Sequence, residues 1–230
     1  MVRLPDDTKR LTIVGSTGSG KSQAGVWHLS KRSFDLMPWF VFDPKRDALI
    51  GACGMTEFDF HAKKLPTKPG LYRFSPVPGD GADNDAVEEF LARIINRAVS
   101  DGQGSGLYFD EGYSIPKNSP AYRRILTQGR SLHVPSVTLT QRPRWLDVFA
   151  FSEADFIQMF RLNRDDDRKT VGGWLPQSVD VNKRLPEFHS WYYDVARNEA
   201  VHMLPVPGAD EIADTIKKRL GVRKARRRLA

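Results

Sequence analysis

Residues 15–22 read Gly-Ser-Thr-Gly-Ser-Gly-Lys-Ser, which satisfies Gly-x-x-x-x-Gly-Lys-[Ser/Thr] in full. The apolar run 11–14 precedes them and a helix-compatible stretch follows, the strand–turn–helix setting in which this spacing makes a phosphate-binding loop. A buried strand, a tight turn and a helix start are therefore required in that order. The residue types supply the chemistry. Gly15, Gly18 and Gly20 let the backbone wrap closely and aim its N–H groups at phosphate oxygens, with Ser16, Thr17 and Ser19 completing the turn. The N-terminus of the next helix adds a positive dipole end. Lys21 can reach the β- and γ-phosphates of a nucleotide, and the Ser22 hydroxyl can ligate Mg²⁺.

Further short apolar, β-branched or aromatic runs occur at 39–42, 71–74, 107–109, 137–140, 156–162, 191–193 and 201–204. Several are nearly continuous rather than alternating, as in strands covered on both faces of a parallel sheet. Helical patterns lie between them. Val87, Phe90, Leu91, Ile94, Ile95 and Ala98 share one helical face, and Asp85 and Glu88 are spaced like a capping box. Residues 120–129 predict a second helix. A third, over 209–220, has acids early, cations late and Gly221 just beyond. The gap between the last two runs is short enough for an antiparallel edge hairpin. Residues 75–84 read as a surface loop and 101–106 as a flexible connector. The expectation is an α/β domain over 1–208, its mostly parallel central sheet flanked by helices, followed by a C-terminal helix and basic tail over 209–230.

The 230 residues suffice for one such domain. The net charge of +7 is misleading until it is located. Lys217, Lys218, Arg219, Arg223, Lys224, Arg226, Arg227 and Arg228 crowd residues 217–230 without an acid, which leaves 7 − 8 = −1 on the remainder. The body is near neutral and the basicity is a tail suited to a polyanion. Cys53 is the single cysteine, which excludes an intrachain disulfide framework and a Cys-rich zinc module. His28, His61, His133, His189 and His202 lack metal-ligand spacing and read as structural or exposed. No apolar run approaches the roughly 20 residues of a membrane-spanning helix, and the N-terminus lacks a signal-peptide core. A soluble, intracellular protein is expected.

A second half of the phosphate site is expected at another strand end. Leu107-Tyr108-Phe109-Asp110-Glu111 is an apolar run closed by two acids. Asp110 suits Mg²⁺ ligation through its water shell. Glu111 suits activation of a water that attacks the γ-phosphate, which favours hydrolysis of ATP over transfer to a small acceptor. After the run 137–140, Gln141 can both donate and accept, which fits contact with the γ-phosphate and the water; a loop amide satisfied by backbone is the alternative. Asp43 and Lys45 read as a structural ion pair outside the core site. Trp145 reads as a buried loop anchor in preference to a pore-lining residue, and Trp174 as a helix-closing side chain packed on the core.

Taken in order, these stretches resemble the FtsK/HerA group of DNA-translocating ATPases. Phe42-Asp43-Pro44-Lys45 is similar to the Asp-Pro-Lys stretch of FtsK-type motors. Gly129-Arg130-Ser131-Leu132-His133-Val134, a strand, and Thr140-Gln141-Arg142-Pro143 resemble that group's arginine-plus-Thr-Gln-Arg-Pro block. The run 156–162 followed by Asp166-Asp167-Arg168-Lys169-Thr170 resembles the strand and helix start that come next. Together they cover about residues 10–175. At this length the chain most resembles the genome-packaging ATPases of membrane-containing icosahedral viruses and phages, a bare motor without the extra domains of FtsK or HerA.

The resemblance implies a RecA-like (ASCE) P-loop core, ATP and Mg²⁺ as ligands, and a homo-oligomeric ring acting on double-stranded DNA. It also implies a capsid or portal-vertex protein as partner, with the motor in the host cytoplasm or on the virion's packaging vertex. A ring motor needs a cation supplied across the subunit boundary; Arg130 is the first candidate and Arg142 the second. Arg223, Lys224, Arg226, Arg227 and Arg228 are candidate DNA contacts, with docking on capsid or a solubilising tail as alternatives. Two other classes stay open: a different small FtsK/HerA-like motor for DNA transfer or phage assembly, and a P-loop kinase or nucleotide-gated binding module. For a kinase, Arg161, Arg164 and Arg168 would have to form the lid.

Overall fold

The computed structural model describes residues 2–116 and 118–221. In chain order the elements are β1 (Leu11–Val14), α1 (Lys21–Leu29), β2 (Pro38–Phe42), α2 (Ala48–Ala52), β3 (Thr56–Glu57), β4 (Gly70–Phe74), α3 (Gly81–Asp101), β5 (Gly106–Phe109), α4 (Pro120–Gln128), β6 (Ser136–Thr140), α5 (Phe149–Ser152), β7 (Phe156–Met159), α6 (Asp165–Gly172), β8 (Ser190–Asp194), β9 (Glu199–Met203) and α7 (Ala209–Arg219). The strands form one sheet in the order β3-β4-β2-β5-β6-β1-β7-β8-β9. It is parallel from β3 to β7 and antiparallel through β8 and β9. This is the RecA-like P-loop arrangement, and the expected edge hairpin is β8–β9.

The continuous apolar strands are explained by cover on both faces. Alternate residues of one strand enter different cores: Trp39 and Val41 pack toward α1, α2 and α7, whereas Phe40 and Phe42 pack toward α3, α4 and α5. Helix α7 belongs to the first of these layers. Ile212, Ala213 and Ile216 are buried there, and Arg219 donates from Nη1 to the carbonyls of Ser30 at 2.7 Å and Arg32 at 2.8 Å. Among the described residues no helix is long and apolar enough to cross a membrane.

Several local expectations are corrected. Helix α3 starts at Gly81, inside the segment read as a loop, because Asp80 caps it by accepting from Asp83 N at 3.1 Å. Asp85 and Glu88 therefore sit inside the helix. Glu88 caps α4 instead, accepting from Ala121 N at 2.8 Å and from Ser119 Oγ. The run 156–162 ends as strand at Met159, since beyond it the phosphate loop takes over the pairing: Ser16 N donates to Arg161 O at 2.9 Å. The two-residue strand β3 carries no sequence signal, being exposed Thr56 and Glu57 paired to β4. Arg223, Lys224, Arg226, Arg227 and Arg228 lie outside the described residues.

Candidate nucleotide and metal site

Strand order creates the site. Because β6 lies between β1 and β5, the C-terminal ends of these three parallel strands open side by side. They deliver the phosphate loop, the Asp110–Glu111 pair and Gln141 to one edge of the sheet.

The loop is tied down at both flanks. Gly15 N donates to Thr140 O at 3.2 Å, and Ser16 bonds Arg161 O through N at 2.9 Å and Oγ at 3.0 Å. A Cβ on Gly15 would lie 2.5 Å from Ser19 Oγ and 2.8 Å from Phe160 Cβ, so only glycine allows this turn to close. Gly20 enters α1 at φ 94°, and no side chain caps that helix. Its first N–H groups are left for an anion, with the helix dipole aligned to favour one. Lys21 is buried beneath the loop.

At the end of β5, Asp110 N donates to Phe42 O at 2.9 Å. The Asp110 carboxyl is 1% exposed and its Oδ1 has no partner. Burial, reinforced by Glu111 and Asp47, pushes its pKa up to about 7, against the opposing pull of Lys21. A buried, unpartnered hard oxygen costs free energy unless something binds it. Asp110 and the Ser22 hydroxyl are the oxygen groups here that could hold Mg²⁺, with water and phosphate taking the remaining positions.

Glu111 holds a left-handed backbone at φ 67°, a strained state for a residue with a side chain and one that concentrates at functional sites. Its carboxylate is 1% exposed. Lys21 Nζ stands 3.7 Å from Oε1, Lys45 Nζ pairs with the same oxygen, and Gln141 N approaches Oε2 at 3.4 Å. The Gln141 side chain bridges the two halves of the site. Its Oε1 accepts from Thr17 Oγ1 at 2.6 Å and its Nε2 donates to Tyr113 OH at 3.4 Å.

Lys45 corrects the expectation that set it aside with Asp43. Asp43 pairs with Arg73, Nε to Oδ2 at 2.9 Å, while Lys45 turns to Glu111. Burial works to lower the Lys45 pKa, but its hydrogen bond and charge pairing with Glu111 outweigh this and hold it above the ordinary value. The signal was present in the Asp-Pro-Lys stretch; the adjacency of β2 and β5 that makes it meaningful was not.

Arg130 and Arg142 are separated by β6. Arg130 is exposed before that strand begins, about 16 Å of strand away from the phosphate edge. Among the described residues its side chain has no ion pair, and it does not join its own chain's site. Arg142 lies at the phosphate edge, with Nε 3.8 Å from Asp167 Oδ2 and its guanidinium 4.3 Å from the Trp145 ring centre. Trp145 is not buried as expected: it is 51% exposed, edge-on to Tyr113, with Arg142 covering its face. Trp174 does pack on the core, stacked on Phe151.

A cleft of about 530 Å³ runs from residues 18–23 to Asp47, Leu49, Phe188 and Asp210. Phe188 forms a wall at φ 61°; a Cβ on Gly20 would approach its ring within 3.1 Å. Nothing in the local sequence marks Phe188, which arrives from the loop before β8. Among the described residues no cluster of three or more metal-ligating side chains occurs outside this site or within it. His28 is buried on Gln158, and burial pushes its pKa down to about 3.

No protein-family model matches the chain. It is 43% identical over 222 residues to the DNA packaging ATPase P9 of Enterobacteria phage PRD1, covering 92% of this chain and 93% of that protein. Among solved structures it resembles the genome packaging NTPase B204 from Sulfolobus turreted icosahedral virus 2 in complex with AMPPCP. That likeness has a TM-score of 0.66 at 17% identity and covers 88% of this chain and 100% of that one. ATPases 2 and 3 of EssC from Geobacillus thermodenitrificans follow at TM-score 0.62 and 13% identity, over 94% of this chain and 44% of that one. At such identities the structural likenesses establish the fold alone.

Proposed function

The chain belongs to the family of the phage PRD1 DNA packaging ATPase P9, and from that membership we propose that it is an ATP-driven double-stranded DNA translocase, the motor that pumps a viral genome into a preformed capsid. The observation that carries the reading is the placement of Glu111: a buried carboxylate one residue beyond Asp110, held between Lys21 at the end of the phosphate loop and Lys45.

In this scheme the N–H groups of Gly15, Ser16, Thr17, Gly18, Ser19 and Gly20, with Lys21, hold the β- and γ-phosphates of ATP. Ser22 and Asp110 would hold Mg²⁺, which when bound neutralises charge on the phosphate oxygens. Glu111 orients a water and takes its proton as the water oxygen bonds to the γ-phosphorus and the bond to ADP breaks. Gln141, joined to Thr17 on one side and Tyr113 on the other, relays the occupancy of the loop to the turn after Glu111.

The transition-state cation comes from a neighbouring subunit. We assign that role to Arg130, which is exposed and remote from its own phosphate loop; Arg142 instead lies against Asp167 and Trp145. The working unit is therefore a homo-oligomeric ring around double-stranded DNA, docked on a capsid or portal-vertex protein and active in the host cytoplasm and at the packaging vertex. The tail cations Arg223, Lys224, Arg226, Arg227 and Arg228 add an unspecific hold on DNA phosphates.

The test is ATP hydrolysis by purified protein across a range of protein concentrations, with and without double-stranded DNA. Specific activity is expected to rise with both. Glu111→Gln and Arg130→Ala should each abolish turnover while ATP still binds, and mixing the two inactive proteins should restore part of it. Turnover that ignores concentration and DNA refutes the ring-motor reading.

A further inference from the structure

A second cleft, of about 320 Å³, opens beside the phosphate loop at the C-terminal end of β7. Arg161, Arg168, Lys183 and Arg184 line it together with the amides of Asn163 and Asn182, and no carboxylate does. The Nε atoms of Arg161 and Arg168 are buried without a partner. Arg168 is neutralised only at its outer end, by exposed Asp165, while its Nη1 donates to Leu162 O at 2.8 Å. Among the described residues Arg161, Lys183 and Arg184 make no ion pair. Four cations sharing one concavity repel one another, and an anion entering it relieves that repulsion while satisfying the buried N–H groups.

We propose that this cleft grips the phosphodiester backbone of double-stranded DNA, an assignment that rests on the translocase reading above. The form of the charge favours a polymer over a single small ion. Arg161 and Arg168 are half-buried within, and Lys183 and Arg184 stand exposed on the rim, so positive charge extends outward along a track. Cations and amides bind phosphates without reading bases, as movement along any sequence requires. The cleft is also wired to the nucleotide. The carbonyl of Arg161 receives both the N–H and the hydroxyl of Ser16, so one residue lines the DNA groove and pins the phosphate loop. A shift of that loop on nucleotide binding or release moves the groove directly.

The experiment measures binding of the full chain to a 30-base-pair duplex by fluorescence anisotropy over a series of salt concentrations. The variant Lys183→Gln/Arg184→Gln is compared with Lys63→Gln/Lys64→Gln. The latter pair is exposed in the loop between β3 and β4, at the far end of the sheet, and removes the same charge. Counterion release predicts that losing two phosphate contacts makes the log–log salt slope shallower by about 1.8, and weakens binding about 60-fold at 0.1 M salt. The control pair should change neither appreciably. If the two double variants behave alike, net charge alone matters: the cleft assignment falls and the translocase reading stands. If the unaltered protein does not bind the duplex at all, both fall together.

Discussion

Replacing Asp110 by Asn should stabilise the protein in the absence of nucleotide and Mg²⁺, and do so only at neutral to alkaline pH. In the folded chain the Asp110 carboxyl is 1% exposed and its pKa is pushed up to about 7, chiefly by burial and then by Glu111 and Asp47, from an ordinary value of 3.8. The folded state therefore binds a proton that the unfolded chain has already released. Stability from this group is complete below pH 3.8 and is lost progressively as the pH rises toward 7. Integrated from pH 5 to pH 8, Asp110 alone accounts for a loss of about 2–3 kcal/mol, a contribution that the Asn variant lacks because its amide does not titrate. An Asn in this position carries its own cost, since its amide protons need partners, but that cost is independent of pH. The quantity to measure is thus the change in the stability gap between the two pH values. Urea unfolding in EDTA at pH 5 and pH 8 supplies it. Adding Mg²⁺ and ATP should then favour the unaltered protein, because ligands that bind only the folded state stabilise it by mass action. A gap of the same size at both pH values would refute the assignment of a raised pKa to Asp110.

Other perturbations test separate parts of the site and fold. Lys45→Met removes the cation nearest Glu111 and should lower kcat by at least tenfold with little change in KM, while Lys45→Arg recovers part of it; steady-state kinetics separate the two effects. Phe188→Ala removes the aromatic wall of the 530 Å³ cleft and should weaken nucleotide binding by about tenfold, read by titration with a fluorescent ATP analogue. Phe90→Ala empties the centre of the aromatic cluster formed with Phe40, Phe58 and Phe74, and should cost about 3–5 kcal/mol in denaturant unfolding without altering the site directly.

Most of the fold could be read along the chain because both faces of the sheet are covered. Runs such as 11–14, 39–42 and 137–140 are apolar, aromatic or β-branched throughout and buried along their length, and each appears as a strand of nearly the expected length. Residues 81–84 hid a helix start because Gly, Asp and Asn are as common in loops as at helix beginnings; a side-chain oxygen from Asp80 tipped the balance. Trp145 departs from its sequence expectation for a related reason. Its size favours burial, but on a turn beside Tyr113 it is covered by the Arg142 guanidinium instead of by a core.

The phosphate loop and the Asp110–Glu111 pair were legible because their chemistry is contiguous: a turn's own N–H groups, a helix start and two neighbouring acids need no distant partner to be recognised. Lys45, Phe188 and the Arg161–Arg184 cleft belong to a different class. Lys45 reaches Glu111 because β2 lies next to β5, and Phe188 reaches Gly20 because the loop before β8 folds over the phosphate loop. Arg161 and Arg184 line one cleft although 22 intervening residues separate them in the chain. Such neighbours are chosen by strand order and by which face each side chain must bury. Those choices are settled by packing the whole sheet between its two helical layers, and no short stretch of sequence records them.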